Sequence, residues 1–170
     1  MKFNWYKNPL AVTLTALGLA ILVNIYYFVA GNDLTAVVSR TLFADLILVL
    51  SLVPIYQSVV LSKSTSGMEM PEKMKSGMKA VSTYTFLLAI VTFILIKLFG
   101  EPLIGARIFE LTEALSKAVE EGVITTDQKN QQIELAKQIY SPTSHVLIVL
   151  IANLLVGFIS SILAAVLVRK

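Results

Sequence analysis

An arginine and an aspartate interrupt the stretch SRTLFADLIL, Ser39 to Leu48, in a segment that otherwise reads as membrane-spanning. An aspartate at the bilayer centre costs about 2.5–3.5 kcal/mol on insertion scales, so such residues mark either a function or a buried network. Asp45 could carry a proton or pair with a substrate in a small transport pathway. Alternatively, Asp45, Arg40, Asn24 and Asn153 could hydrogen-bond between helices and fix their register, each bond being worth about 0.6 kcal/mol in membranes. Both readings stay open on the residues alone. His145 is the one histidine and cysteine is absent, which excludes multi-histidine and thiolate metal centres and any disulfide. The chain has no Gly-rich phosphate turn, no Ser–His–Asp arrangement and no paired carboxylates beyond ordinary surface acids. No enzyme activity, cofactor or metal is therefore expected.

These polar residues agree in depth when the helical rise of about 1.5 Å is applied. Arg40 and Asp45 lie roughly 9 and 16 Å from the outer end of their span. Asn24 is six residues from the outer end of the first span, Thr92 seven from the end of the third, and Asn153 nine into the fourth. Asn24, Arg40, Asp45, Thr92 and Asn153 thus make one expected buried polar layer in the outer half of a bundle. Asp45 is too short to snorkel, whereas Arg40 alone could. A five-residue step turns the helix by about 140°, so the two do not share a face. The inner half offers Thr13, Thr15, Gln57, Ser82, Thr83, Tyr84, Thr85, Ser160 and Ser161, a thin lining for a conducting path. His145, just inside the fourth span, reads as an interfacial anchor. Gly157, Ser161 and Ala165 form a small-residue ladder that permits close backbone approach, with Ala16 and Ala20 as a complementary face on the first span.

The elements that must position these residues follow from hydropathy. The chain of 170 residues is 56% hydrophobic and only 15% charged, against about 25% charged in soluble domains. Its mean hydropathy is +0.76, too apolar for the surface of a soluble protein this small. Spans of about 20 apolar residues are found over 9–30, 34–61, 80–99 and 144–168. Pro9 and Pro142 suit first helical positions, Ser141 a cap, and Gly31 and Gly100 stops. Pro54 is an expected kink. The first run is long for a cleaved signal core and is expected to be retained.

Lys2, Lys7, Lys63, Lys73, Lys75, Lys79, Arg169 and Lys170 fall on one side of this arrangement. The connection after the third span has Lys97, Arg107, Lys117, Lys129 and Lys137 against seven acids. The positive-inside rule then puts both termini and the basic loop 62–79 in the cytoplasm, and 101–141 outside. Trp5, Tyr6, Tyr26, Tyr27, Phe28 and Phe99 sit near the expected interfaces. Within the basic loop, Ser64 to Gly67 is turn material, and a helix begins at Pro71 with Met70, Met74 and Met78 on one face. It is either an extension of the third span or a helix lying on anionic lipid, with Gly77 as a hinge. In the long connection, Ile104, Ile108, Leu111, Leu115 and Val119 keep an amphipathic period, Gly122 is a stop, and Thr125 with Gln128 offers a capping box. A second stripe, Ile133, Ala136, Ile139 and Tyr140, completes a helical hairpin.

Three features carry a family likeness: the stretch MPEKMKSGMKAVSTYTFLLAIVTFILIKLFGEPLI, the acid-rich insertion with LAKQIYSPTSH, and the ending LLVGFISSILAAVLVRK. On these the chain resembles the bacterial four-span proteins of the domain of unknown function 4199 family. The resemblance covers essentially the whole chain and implies an integral inner-membrane protein, without implying a reaction or a ligand. The expected fold is an all-α polytopic membrane protein, one domain over 1–170, with four transmembrane helices and an extracytoplasmic helical hairpin between the third and fourth. The expected function is a scaffold or accessory subunit. The alternative is a small homodimeric transporter of a lipid-linked or proton-coupled substrate. The expected partners are the lipid bilayer and a membrane protein or second copy, and no nucleic acid.

Overall fold

The computed structural model describes residues 8–51, 53–64 and 69–168. Lys2, Trp5, Tyr6, Lys7, the turn over 65–67, Arg169 and Lys170 lie outside the described residues. Among the described residues there are seven α-helices and one π-turn: α1 Pro9–Ala30, α2 Leu34–Leu50, α3 Val53–Ser64, α4 Met70–Leu95, the π-turn Ile96–Gly100, α5 Glu101–Glu120, α6 Thr126–Ile139 and α7 Pro142–Leu167. There is no strand among the described residues. Four helical runs are long and apolar enough to cross a membrane: Pro9–Ala30, Leu34–Ser64, Met70–Glu120 and Pro142–Leu167.

Local signals set most helix ends. The Asn8 side chain accepts from Leu10 N at 3.0 Å and caps α1 ahead of Pro9. Asp33 caps α2 through Thr35 N at 2.9 Å. Ser141 caps α7 ahead of Pro142. Pro54 has no N–H for the Leu50 carbonyl, and its ring crowds that carbonyl. The second span accordingly breaks after Leu50 and restarts at Val53. That break changes the span's neighbours: α2 packs between α1 and α7, whereas α3 packs chiefly against α4 and α1.

The third span departs from expectation. Gly100 does not stop it, and Met70–Glu120 is one helical run of 51 residues, about 77 Å long at 1.5 Å per residue. The π-turn over Ile96–Gly100 explains this, because the wider turn absorbs Pro102, which lacks an N–H for Leu98. A Cβ on Gly100 would come within 2.9 Å of Ile96 Cγ2, so the tight spot there suits glycine. At the other end, the expected helix at Pro71 is the first part of α4 rather than a separate surface helix. Ser76 Oγ donates to the Ser58 carbonyl at 3.0 Å and docks this extension on α3. Gly77 is not a hinge. It is buried inside the helix, where a Cβ would sit 2.9 Å from Ser161 Oγ.

The bundle is arranged in the way a bilayer rewards. Its outer surface carries Leu22, Phe43, Phe86, Leu98, Leu155 and Ile159, all at least half exposed. Its interior holds Ala16, Ala20, Val49, Val81, Tyr84 and Ala164, together with buried polar residues. With apolar lipid outside, helix association depends on close packing and hydrogen bonds, which favour small and polar interior residues. Phe28, expected in an interfacial belt, is instead core. It packs with Val37, Leu95 and Ile96, because its position on α1 faces the π-turn.

Candidate functional site

Asn24, Asp45 and Asn153 are buried to 1%, 0% and 0% exposure, on α1, α2 and α7. Asn24 Nδ2 donates to the Ala20 carbonyl at 2.8 Å and to Asp45 Oδ1 at 3.0 Å. These two acceptors fix the orientation of the Asn24 amide and leave its oxygen inward. Asn153 does the same on α7: Nδ2 donates to the Val149 carbonyl at 2.9 Å, and Oδ1 is left over. The Asn24–Asp45 bond ties α1 to α2 deep in the bundle. Among the described residues Asp45 has no lysine or arginine at ion-pair distance.

Arg40 does not belong to this layer. It is exposed on the outside of α2, where it lines a cleft with Tyr26, Tyr27, Asn32 and Asp33. The reason is the helical turn: five residues after Arg40 the helix has rotated by about 140°, so burying Asp45 turns Arg40 outward. The shared depth was a property of sequence position and said nothing of azimuth.

The register between α4 and α7 relocates another residue. Gly77 lies against Ser161, and Gly157 against Val81. Continuing this antiparallel register puts Thr85 opposite Asn153, and Thr92 opposite Val146. Thr92 is therefore buried, at 3% exposure, but about two turns, roughly 10 Å, from the level of Asn153. Tyr84 and Thr85, assigned from sequence to the inner half, stand at Asn153's level instead. Both are buried, at 0% and 1% exposure. The signal that could have placed them was the spacing of Gly77 against Ser161 and Gly157, which sets the register.

Seven buried side-chain oxygens have no hydrogen-bond partner among the described residues: Asn24 Oδ1, Asp45 Oδ2, Tyr84 OH, Thr85 Oγ1, Thr92 Oγ1, Asn153 Oδ1 and Ser160 Oγ. They come from all four spans, and every one is an oxygen. By contrast Thr13, Ser62 and Ser161, buried further along the bundle, donate to carbonyls of their own helices at 2.8, 2.9 and 2.7 Å. Those three hydroxyls are internally satisfied, while the unpaired Ser160 and Thr92 lie about two turns to either side of Asn153's level.

Gly157, Ser161 and Ala165 are all buried. Gly157 and Ser161 meet α4, at Val81 and Gly77, so this ladder serves packing inside the chain. Ala16 and Ala20 face the common core with Val49, Ile55 and Tyr84 rather than forming the ladder's counterpart. His145 is buried to 5%, and its Nδ1 lies 2.9 Å from the Ser141 carbonyl, pinning the ring to the start of its own helix.

The α5–α6 hairpin closes as its sequence predicts. Gly122 adopts φ 72°, the left-handed conformation of a helix stop. Val123 N bonds the Ala118 carbonyl at 2.9 Å and Gly122 N that of Val119 at 3.0 Å, which completes the Schellman pattern. Thr125 and Gln128 form the reciprocal capping box. Lys129 Nζ donates to Ser116 Oγ at 2.9 Å across the two helices. Ile104, Ile108, Leu111, Leu115 and Val119 are half-buried, and no residue of α5 is fully buried. Phe109, Leu135 and Ile139 are 70%, 57% and 61% exposed. Ile139, expected in the inward stripe with Ile133 and Ala136, thus points outward. No family model, curated protein or solved structure matches the chain.

Proposed function

We propose that this multi-pass membrane protein is a non-enzymatic scaffold or accessory subunit, acting through helix contacts and the α5–α6 hairpin. The observation that carries the reading is the unbroken run from α4 through the π-turn into α5. A loop would decouple the hairpin from the membrane bundle, whereas a continuous helix transmits tilt and rotation. The hairpin also presents Phe109, Leu135 and Ile139 beside charged residues, a pattern suited to a protein surface with an apolar centre. The lysines at 63, 73, 75 and 79 support a cytoplasmic α3–α4 end by the positive-inside rule. On this reading the protein sits in the bacterial inner membrane with both termini inside and the hairpin outside. The test is mass measurement of the full chain purified in mild detergent, beside Phe109→Asp and Leu135→Asp. The reading expects a particle larger than one chain in its micelle that the variants dissociate. A wild-type monomer with unchanged variants would exclude it.

A second reading, a small transporter, draws on the unpaired oxygens around Asp45. It no longer includes Arg40, which lies on the outer surface. The satisfied hydroxyls of Thr13 and Ser62, towards the α3–α4 end, argue against continuing the unpaired oxygens into a path there. Proton- or substrate-driven flux into vesicles, abolished by Asp45→Asn, would favour it over the scaffold.

A further inference from the structure

Arg40 is a guanidinium without a partner among the described residues, exposed on the outer side of α2 and roughly 9 Å in from the helix end. Asp33 lies seven residues earlier, two helical turns away, and so on the same face. Between them the cleft, about 330 Å³ in volume, is floored by Ala36 and Val37 and walled by Tyr26 and Tyr27. Val37 packs directly over Gly31, which closes the floor against the α1–α2 turn. Tyr26 and Tyr27 stand edge to face with ring centroids 5.4 Å apart, and Tyr26 is 66% exposed. Asp33 commits one carboxylate oxygen to Thr35 N at 2.9 Å, leaving the other free of the chain. Helical side chains lean towards the helix N-terminus, so Arg40 reaches back along the cleft towards Asp33. Yet the two form no ion pair.

The cleft therefore offers a fork of N–H donors at its deeper end and a carboxylate at its mouth, with small apolar residues between. A ligand that satisfies both ends carries a phosphate and, nearer the water, an ammonium. It must also reach the cleft from the lipid side. We propose that this cleft is a headgroup site for a zwitterionic phospholipid of the phosphatidylethanolamine type, with Arg40 on the phosphate and Asp33 on the ammonium. Guanidinium–phosphate contacts are charge-assisted and directional. The tyrosine walls suit the headgroup level, where amphipathic rings sit. Phosphatidylglycerol would satisfy Arg40 through the same phosphate but offer Asp33 a neutral glycerol in place of the ammonium.

The experiment is native mass spectrometry of the delipidated full chain exposed to equal amounts of phosphatidylethanolamine and phosphatidylglycerol. Wild type is expected to retain phosphatidylethanolamine in preference. Arg40→Gln should lower that retention about tenfold, the equivalent of one lost charge-assisted contact. Asp33→Asn keeps a capping side chain, so the helix is preserved. Its expected effect is to erase the preference, bringing the two lipids to near-equal retention. Equal retention by wild type, unchanged retention by Arg40→Gln, or an unchanged preference in Asp33→Asn would each overturn the proposal. An unchanged melting curve for both variants verifies that the fold is intact.

Discussion

Replacing Asp45 separates a structural polar layer from a working one. Asn24 Nδ2 has two hydrogens and two acceptors, the Ala20 carbonyl at 2.8 Å and Asp45 Oδ1 at 3.0 Å. Asp45→Leu removes the second acceptor and leaves one N–H bare in a fully buried site, at a cost of about 1–3 kcal/mol. Asp45→Asn keeps an oxygen at that place. Its new amide hydrogens stand in a core that holds the unpaired oxygens of Asn24 and Asn153. One bond so gained is worth about 0.6 kcal/mol in a membrane. Asp45→Asn should therefore match or exceed wild type, and Asp45→Leu should fall below it by about 1–3 kcal/mol. Asn24→Leu combined with Asp45→Leu should recover part of that loss, because removing both partners strands neither. The assay is equilibrium unfolding in mixed micelles followed by circular dichroism. If Asp45→Asn loses as much stability as Asp45→Leu, the carboxylate itself is needed, and the register-fixing account fails. If the double variant is simply additive, the bond does not couple α1 to α2.

Three further outcomes test the fold around the layer. Gly157→Ala drives a Cβ into the Val81 side chain, including its Cβ at 3.0 Å, and should cost about 1–3 kcal/mol by overpacking. Val81→Ala should relieve that cost, so a double-mutant cycle in the same unfolding assay gives a clear coupling, and a purely additive cycle contradicts the α4–α7 register. For orientation, cysteines at Ser64 and Glu72 should resist an impermeant thiol reagent in intact spheroplasts, while one at Gln132 should react. Labelling at Ser64 would invert the topology. Thr125→Ala removes the capping box of α6 and should cost about 1 kcal/mol locally. It would be read as faster amide exchange at Lys129 and Gln128 with the bundle unaffected.

Sequence by itself determined the features whose causes are local. Hydropathy over 9–30, 34–61, 80–99 and 144–168 was enough to count four spans, since a bilayer demands length and apolarity rather than any particular neighbour. The caps at Thr125 and Ser141 and the stop at Gly122 depend on residues within a turn or two, and so does the break before Pro54. The burial of Asp45 was also legible, because a short ionisable side chain at that depth has nowhere else to go. Tertiary structure decided whatever depends on azimuth and register. Depth along a helix comes from counting residues, but the face that turns inward is set by the neighbours. Burying Asp45 against Asn24 sent Arg40 to the outer surface. The Gly77–Ser161 and Gly157–Val81 contacts put Thr85 level with Asn153 and moved Thr92 two turns away. Gly100 resembled a stop because glycine often ends helices. It lies instead in a π-turn that absorbs Pro102, with Ile96 and Phe28 packed around it.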